Sequence, residues 1–257
     1  MSLVLTQMGP TLQDSYLDML KPRHIAIAVA IFCVFQGSLS AQNEGDREDL
    51  ANFARYREEN ATLLSKIAKG EAKKPKAVLF GDSISDAWPA VRPSFFKDNN
   101  LIGRGSSGQT ASRILLRMQR DVVDFHPKYV VILAGMNDVA QNGGYADQKN
   151  VIGYIASMCQ IAKANRIRPI VGTLPPADHF FWKEDIGVHI EGANEKIRAL
   201  NYAIRAWAKT NRIPVVDYEK VLSGPDGVTA KQYSSDSVHP NEAGYIQMEK
   251  ILLPLLK

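Results

Sequence analysis

Ala77-Val78-Leu79-Phe80-Gly81-Asp82-Ser83 is an apolar run that stops at Gly-Asp-Ser. Four consecutive apolar residues bounded by a turn signal read as a strand buried on both faces. The run places a small hydroxyl where that strand gives way to a turn. A serine oxygen is a weak nucleophile until a base, an orienting acid and oxyanion donors surround it. Taken alone, Asp82 and Ser83 read equally well as the cap of a following helix.

Further short apolar runs lie downstream at Tyr129 to Ala134, Pro169 to Thr173 and Pro214 to Val216, with a weaker one at Leu101-Ile102. Amphipathic stretches separate them. Ile197, Leu200, Ile204 and Trp207 recur at three- and four-residue steps, as do Ile114, Leu115, Met118, Val122 and Phe125. Val151, Ile152, Ile155, Met158 and Ile161 form another stripe, which makes Cys159 a core residue, and Ile246 to Leu256 forms the last. Alternating strands and helices, with strands apolar on both faces, predict an α/β fold: a central parallel sheet of about five strands covered by helices on each side. No internal repeat or linker interrupts residues 76–257, so one domain is expected there. The charged stretch Arg47 to Lys69 reads as a helix, and lysine-rich Glu71 to Lys76 as a solvated connector.

The first forty or so residues differ in kind. Lys21, Arg23 and His24 precede an apolar run from Ile25 to Phe35, which is followed by Gly37, Ser38, Ser40 and Ala41. A basic end, a short apolar middle and a small-residue site make residues 1–41 an expected secretory signal, with Met19 a more usual start than Met1. The apolar run falls short of the roughly 20 residues a spanning helix needs. Cys33 sits inside the run rather than after a small-residue box, which disfavours a lipoprotein. The expected product is exported, periplasmic or extracellular, with residues 42–75 a helical extension and residues 76–257 the main domain. The net charge is +4, its basic residues are scattered, and nucleic acid is not an expected partner.

In a parallel sheet, ligands gather at the carboxyl ends of the strands. Gly81-Asp82-Ser83, Gly105 to Thr110, Gly135-Met136-Asn137-Asp138 and Thr173-Leu174-Pro175-Pro176 each follow a run, so all four share that edge. His126 precedes a strand and falls on the other edge. His239 stands three residues after Asp236 and before Pro240, a spacing that lets a carboxylate hold one imidazole nitrogen while the other faces a serine. His179, Asp185 and His189 are the remaining candidate metal ligands, for a metal-dependent hydrolase, and they lack the usual short spacing.

Together, Gly81-Asp82-Ser83, Gly108, Gly135-Met136-Asn137-Asp138 and Asp236-Ser237-Val238-His239-Pro240 resemble, in order and spacing, the four blocks of the SGNH hydrolases, the GDSL esterases and lipases. Arg104 to Thr110, Leu133 to Asp138 and Thr173 to Pro176 resemble in particular the secreted bacterial acylhydrolases of the platelet-activating-factor acetylhydrolase type. The resemblance implies a flavodoxin-like three-layer α/β/α sandwich. It implies Ser83 as nucleophile, His239 as base, Asp236 as orienting acid, and an oxyanion hole built from Ser83 N–H, Gly108 N–H and the Asn137 amide. Asp82 and Asp138 are expected to shape turns, and Ser106 and Ser107 depart from the family pattern without removing a donor. No metal or cofactor is implied. Trp88, Phe180, Phe181 and Trp182 are candidate substrate-binding aromatics, the last three within the loop Ala177 to Gly192. The expected substrate is a small-molecule or carbohydrate ester, short-chain and acetyl rather than the long chains of a lysophospholipase or thioesterase. A non-catalytic glycan-binding domain is the expectation from another class, and it would need a broken catalytic position.

Overall fold

Val, Leu, Ile and Phe dominate the two strands that are buried along their whole length, Ala77–Gly81 (β1) and Tyr129–Leu133 (β3). They pair in parallel at the middle of a five-stranded sheet completed by Leu101–Gly105 (β2), Arg168–Gly172 (β4) and Val215–Val216 (β5), in the order β2-β1-β3-β4-β5. The computed structural model describes residues 49–257, of which Leu50–Lys257 form one compact unit. The expected signal 1–41, with Met19 and Cys33, lies outside the described residues. No helix among the described residues is long and apolar enough to cross a membrane.

Helices fill the intervals between strands. Arg57–Ala68 (α1) precedes β1; Ser83–Val91 (α2) and Pro93–Asp98 (α3) lead to β2; Ala111–Leu116 (α4) and Met118–Asp121 (α5) lead to β3. Met136–Val139 (α6) and Gln148–Ala164 (α7) lead to β4, Phe181–Glu184 (α8) and Ala193–Asn211 (α9) to β5, and Tyr218–Leu222 (α10) and Glu242–Leu252 (α11) follow it. Trp88 of α2 packs on Tyr218 of α10 and Tyr245 of α11, while α7 packs on α4 and α9. The helices flank the sheet as a three-layer α/β/α sandwich.

β2 runs three residues beyond the apolar pair Leu101-Ile102 because Gly103 and Gly105 lack the side chains that would mark it. A Cβ on Gly103 would stand 2.4 Å from Pro89 Cγ, and one on Gly105 would stand 2.0 Å from Asp86 N. The missing Cβ atoms let α2 lie directly against the strand. The charged stretch at the N-terminus also differs from expectation. It turns through residues 50–56, with Asn52 at φ 53°, and becomes helical only at Arg57. The Asn52 amide donates to Ser106 Oγ at 3.0 Å, a tertiary bond that competes with an earlier helix start. This segment lies in the same compact unit as the sheet, Leu50–Lys257. The stripe Ile114 to Phe125 is broken into α4, α5 and a 3-10 turn, because Arg117 at the break is buried and reaches the carbonyls of Gly81 and Arg104 at 3.2 Å each. Cys159 is buried on α7, as its neighbours predicted.

Candidate active site

The chain leaves β1 for β2 on one side and returns across β1 to β3 on the other, so the loops after β1 and β3 open a crevice between them. Gly81 ends β1 with Leu133 O 2.3 Å and Ser85 Oγ 2.6 Å from where a Cβ would lie. Only a glycine lets the chain turn this tightly against β3. Asp82 then caps α2, its Oδ1 accepting the Ile84 N–H at 3.1 Å, and Ser83 becomes the first residue of the helix. The capping role and a chemical role for Ser83 are therefore compatible: the cap is what sets the hydroxyl at the crevice floor.

The loop before α11 brings the other side chains to Ser83. His239 Nε2 lies 2.9 Å from Ser83 Oγ, and His239 Nδ1 lies 2.7 Å from Asp236 Oδ2. The second carboxylate oxygen, Oδ1, accepts the N–H groups of Val238 at 2.9 Å and His239 at 2.7 Å and the Ser234 hydroxyl at 3.1 Å. Ser237 takes a left-handed φ of 67°, which folds the three-residue spacing back on itself. Partial burial raises the Asp236 pKa, but the His239 and Val238 N–H donors and the imidazole outweigh it and hold the carboxyl below its usual range. The arrangement can pass a proton from the serine to the imidazole while the carboxylate stays ionised.

A cleft of about 220 Å³ opens over this line, bounded by Ser83, Ser107, Gly108, Asn137, Asn142, Phe181, Trp182 and His239. Gly108 sits at φ 75°, and Ser106 and Ser107 anchor its loop, the first by accepting from Asn52 and the second by donating to Asp86 Oδ2 at 3.1 Å. Asn137 is buried on α6, and its Nδ2 donates to Gln109 O at 3.2 Å. Asp138 Oδ2 accepts the Ala111 N–H at 2.8 Å, so it joins the loop after β3 to the start of α4 rather than shaping its own turn alone. Burial pushes the Asp82 carboxyl up to about 7 and that of Asp138 up to about 6, in each case against backbone N–H donors.

The four candidate aromatics separate cleanly. Phe181, 38 % exposed, and the half-buried Trp182 face the cleft, each with its ring centroid 6.1 Å from that of His239. Trp88 and Phe180 do not belong to it, and both expectations are corrected. Trp88 is 1 % exposed, stacked on Phe95 and Tyr245 and edge-to-face with Phe96 and Tyr218, with its indole N–H donated to Glu249 at 3.2 Å. Phe180, also 1 % exposed, is the apolar anchor under α8. A helix face chooses between cleft and core by rotation about its axis, and Trp88 lies on the inward face of α2. His179 pairs with Asp178 and His189 lies near Glu184, and among the described residues no three metal-ligating groups converge. Asn142 was not anticipated: it lies outside every motif block, and no local pattern marks it.

The chain matches the family model of the GDSL-like lipase/acylhydrolase family over residues 79–246. A GDSL-like lipase from Bacteroides thetaiotaomicron is 40 % identical with a TM-score of 0.72, the match covering 81 % of this chain and 98 % of that one. A protein from Bacteroides fragilis described as an acylhydrolase is 39 % identical at TM-score 0.73, covering 82 % and 98 %. A Streptococcus pneumonia structure described as a platelet activating factor is 19 % identical at TM-score 0.62, covering 86 % and 99 %, and shares the fold. No curated protein matches the chain.

Proposed function

The chain belongs to the GDSL-like lipase/acylhydrolase family and is a carboxylic ester hydrolase, and on that premise we propose that it works through an acyl-enzyme on Ser83 and prefers short acyl groups. The observation that carries the proposal is the unbroken hydrogen-bonded line from Ser83 Oγ through His239 to Asp236 at 2.9 and 2.7 Å. Ser83 Oγ attacks the ester carbonyl as His239 Nε2 takes its proton. The Ser83 and Gly108 N–H groups and the Asn137 amide hold the negative oxygen of the tetrahedral intermediate. His239 then protonates the leaving alcohol, and a water activated by the same nitrogen releases the acid and restores Ser83. Asp236 holds the imidazole tautomer that presents Nε2 as the acceptor.

The cleft over Ser83, about 220 Å³, has room for an acetyl or similarly short group. Phe181 and Trp182 at its rim offer faces on which a sugar ring could stack, so O-acetylated carbohydrate is the substrate class we favour. Such a substrate fits an exported enzyme, and export rests on the basic, apolar and small-residue order of residues 1–41. The test is a panel of acetyl, butyryl and long-chain esters, with acetylated sugars beside lysophospholipid, run on wild type and Ser83→Ala. Ser83→Ala is expected to lower kcat by about four to six orders of magnitude. Near-normal turnover by that variant would remove Ser83 from its role. A preference for long chains would instead replace the short-chain reading with a lysophospholipase or thioesterase, leaving the mechanism intact.

A further inference from the structure

We propose that Asn142 is a positioning residue that fixes which end of the Asn137 amide faces the cleft, and that it takes its own direction from Trp182. Asn142 Nδ2 donates to Asn137 Oδ1 at 2.6 Å, and Asn142 Oδ1 accepts from Trp182 Nε1 at 3.0 Å. An amide is nearly symmetric in shape, so only its partners decide which end is oxygen. An indole N–H can only donate. The atom of Asn142 facing Trp182 is therefore its oxygen, and the atom facing Asn137 is its NH2. That in turn commits the Asn137 oxygen to Asn142, while Gln109 O, which can only accept, holds the Asn137 NH2 on its own side, so the two partners together set the amide that lines the cleft. The main chain reinforces the link, since the Asn142 N–H donates to Asn137 O at 2.9 Å. Lys183, beside Trp182, donates to Gln141 O at 3.3 Å, holding α8 on the same turn. The aromatic rim and the oxyanion donor are thus one relay, four groups long and pointed in one direction.

The inference rests on the reading of Asn137 as an oxyanion donor, and it makes an unusual demand. Asn142→Asp keeps the shape and still accepts from Trp182, but it presents oxygen to Asn137. The Asn137 amide must then either turn over, setting its oxygen against Gln109 O and taking its NH2 away from the oxyanion site, or hold its oxygen against a carboxylate; both disturb the donor. Asn142→Ala removes the constraint without inverting it. With a short-chain aryl ester, Asn142→Asp is expected to lower kcat by about 100-fold, the cost of losing one oxyanion donor, with KM nearly unchanged. Asn142→Ala is expected to fall by only about ten-fold, the worth of one neutral hydrogen bond. In an Asn137→Ala background, Asn142→Asp should add nothing further. Trp182→Phe gives a second route that removes the indole N–H directing Asn142 while leaving both amides in place, and it should lower kcat by about three- to ten-fold. Asn142→Asp and Trp182→Phe both at wild-type kcat, or a full additional loss from Asn142→Asp in the Asn137→Ala background, would overturn the positioning role. Wild-type kcat in Asn137→Ala would overturn the oxyanion reading itself, a separate outcome.

Discussion

Asp82 sits one residue before the proposed nucleophile with one oxygen capping α2 and the other, Oδ2, buried without a partner. Burial pushes its carboxyl up to about 7, far above the value of about 3.9 expected in an unfolded chain. The folded state therefore binds a proton more tightly than the unfolded state does. The stabilising contribution of that protonation is complete below about pH 4 and is lost as pH rises through about 7. Asp82→Asn keeps the capping oxygen and removes the ionisation. Thermal melts at pH 5 and pH 8 should show the variant gaining on wild type as pH rises, and a constant gap would mean the carboxyl is not a buried acid. At this scale the motif blocks were legible because they are contiguous: Ser83, Gly108, Asn137 and His239 line one cleft, with Asp236 behind His239. Trp88 and Phe180 were misread because a ring's surroundings come from other elements, α3, α10 and α11 for Trp88.

At the scale of the element, β2 and α2 explain why the Gly-Asp-Ser turn holds its place. Gly81 and Gly105 are paired across β1 and β2, and each would drive a Cβ into the backbone or side chain of its neighbours. At Gly105 the obstacles are backbone atoms: Asp86 N at 2.0 Å, Ser85 C at 2.4 Å and Asp82 O at 2.5 Å. They cannot swing aside. Gly105→Ala should destabilise the fold by about 1 to 3 kcal/mol or more in urea titrations, since α2 must lift from the strand. Gly153 is the counterpart, exposed within α7 with no atom near its missing Cβ. Gly153→Ala should stabilise by about 0.5 to 1 kcal/mol, the usual gain in a helix interior. Two glycine substitutions of opposite sign would separate close approach from conformational entropy. The strands rich in Val, Ile and Leu were readable from their apolar runs, whereas β2 was read short because packing there required the absence of side chains.

For the molecule as a whole, the segment from Leu50 to Ala68 is tied to β2 and α5 by side-chain bonds. Tyr56 donates to Gly105 O at 2.7 Å, and Asn60 accepts from Arg104 Nε and donates to Asp121 Oδ1, each at 2.8 Å. Arg104, 1 % exposed, also bonds Glu59 and lies over the rings of Tyr56 and Phe125. Asp121 in turn pairs with Arg117, which donates to the carbonyl ending β1. Two buried guanidiniums thus tie the segment to the floor of the cleft. A chain starting at Lys76 would leave Arg104 without Glu59, Asn60 or Tyr56 and would uncover the guanidinium and the surface those residues pack on. Melts comparing chains that start at Leu50 and at Lys76 should show a clear loss for the shorter one. Equal stability would restore the boundary expected at residue 76.

The amino-acid sequence by itself determined the layered parallel sheet and the edge on which the polar blocks gather, and it singled out the serine, histidine and aspartate that we propose for catalysis. These depend on periodicity and on contiguous residues, which local chemistry writes directly into the chain. Tertiary structure alone decided which aromatics face the cleft, where β2 ends, that the N-terminal segment reaches β2, and which partners the Asn137 and Asn142 amides find. Each of those depends on a partner brought from a distant part of the chain, and hydrogen-bond direction and close approach exist only once both partners are in place.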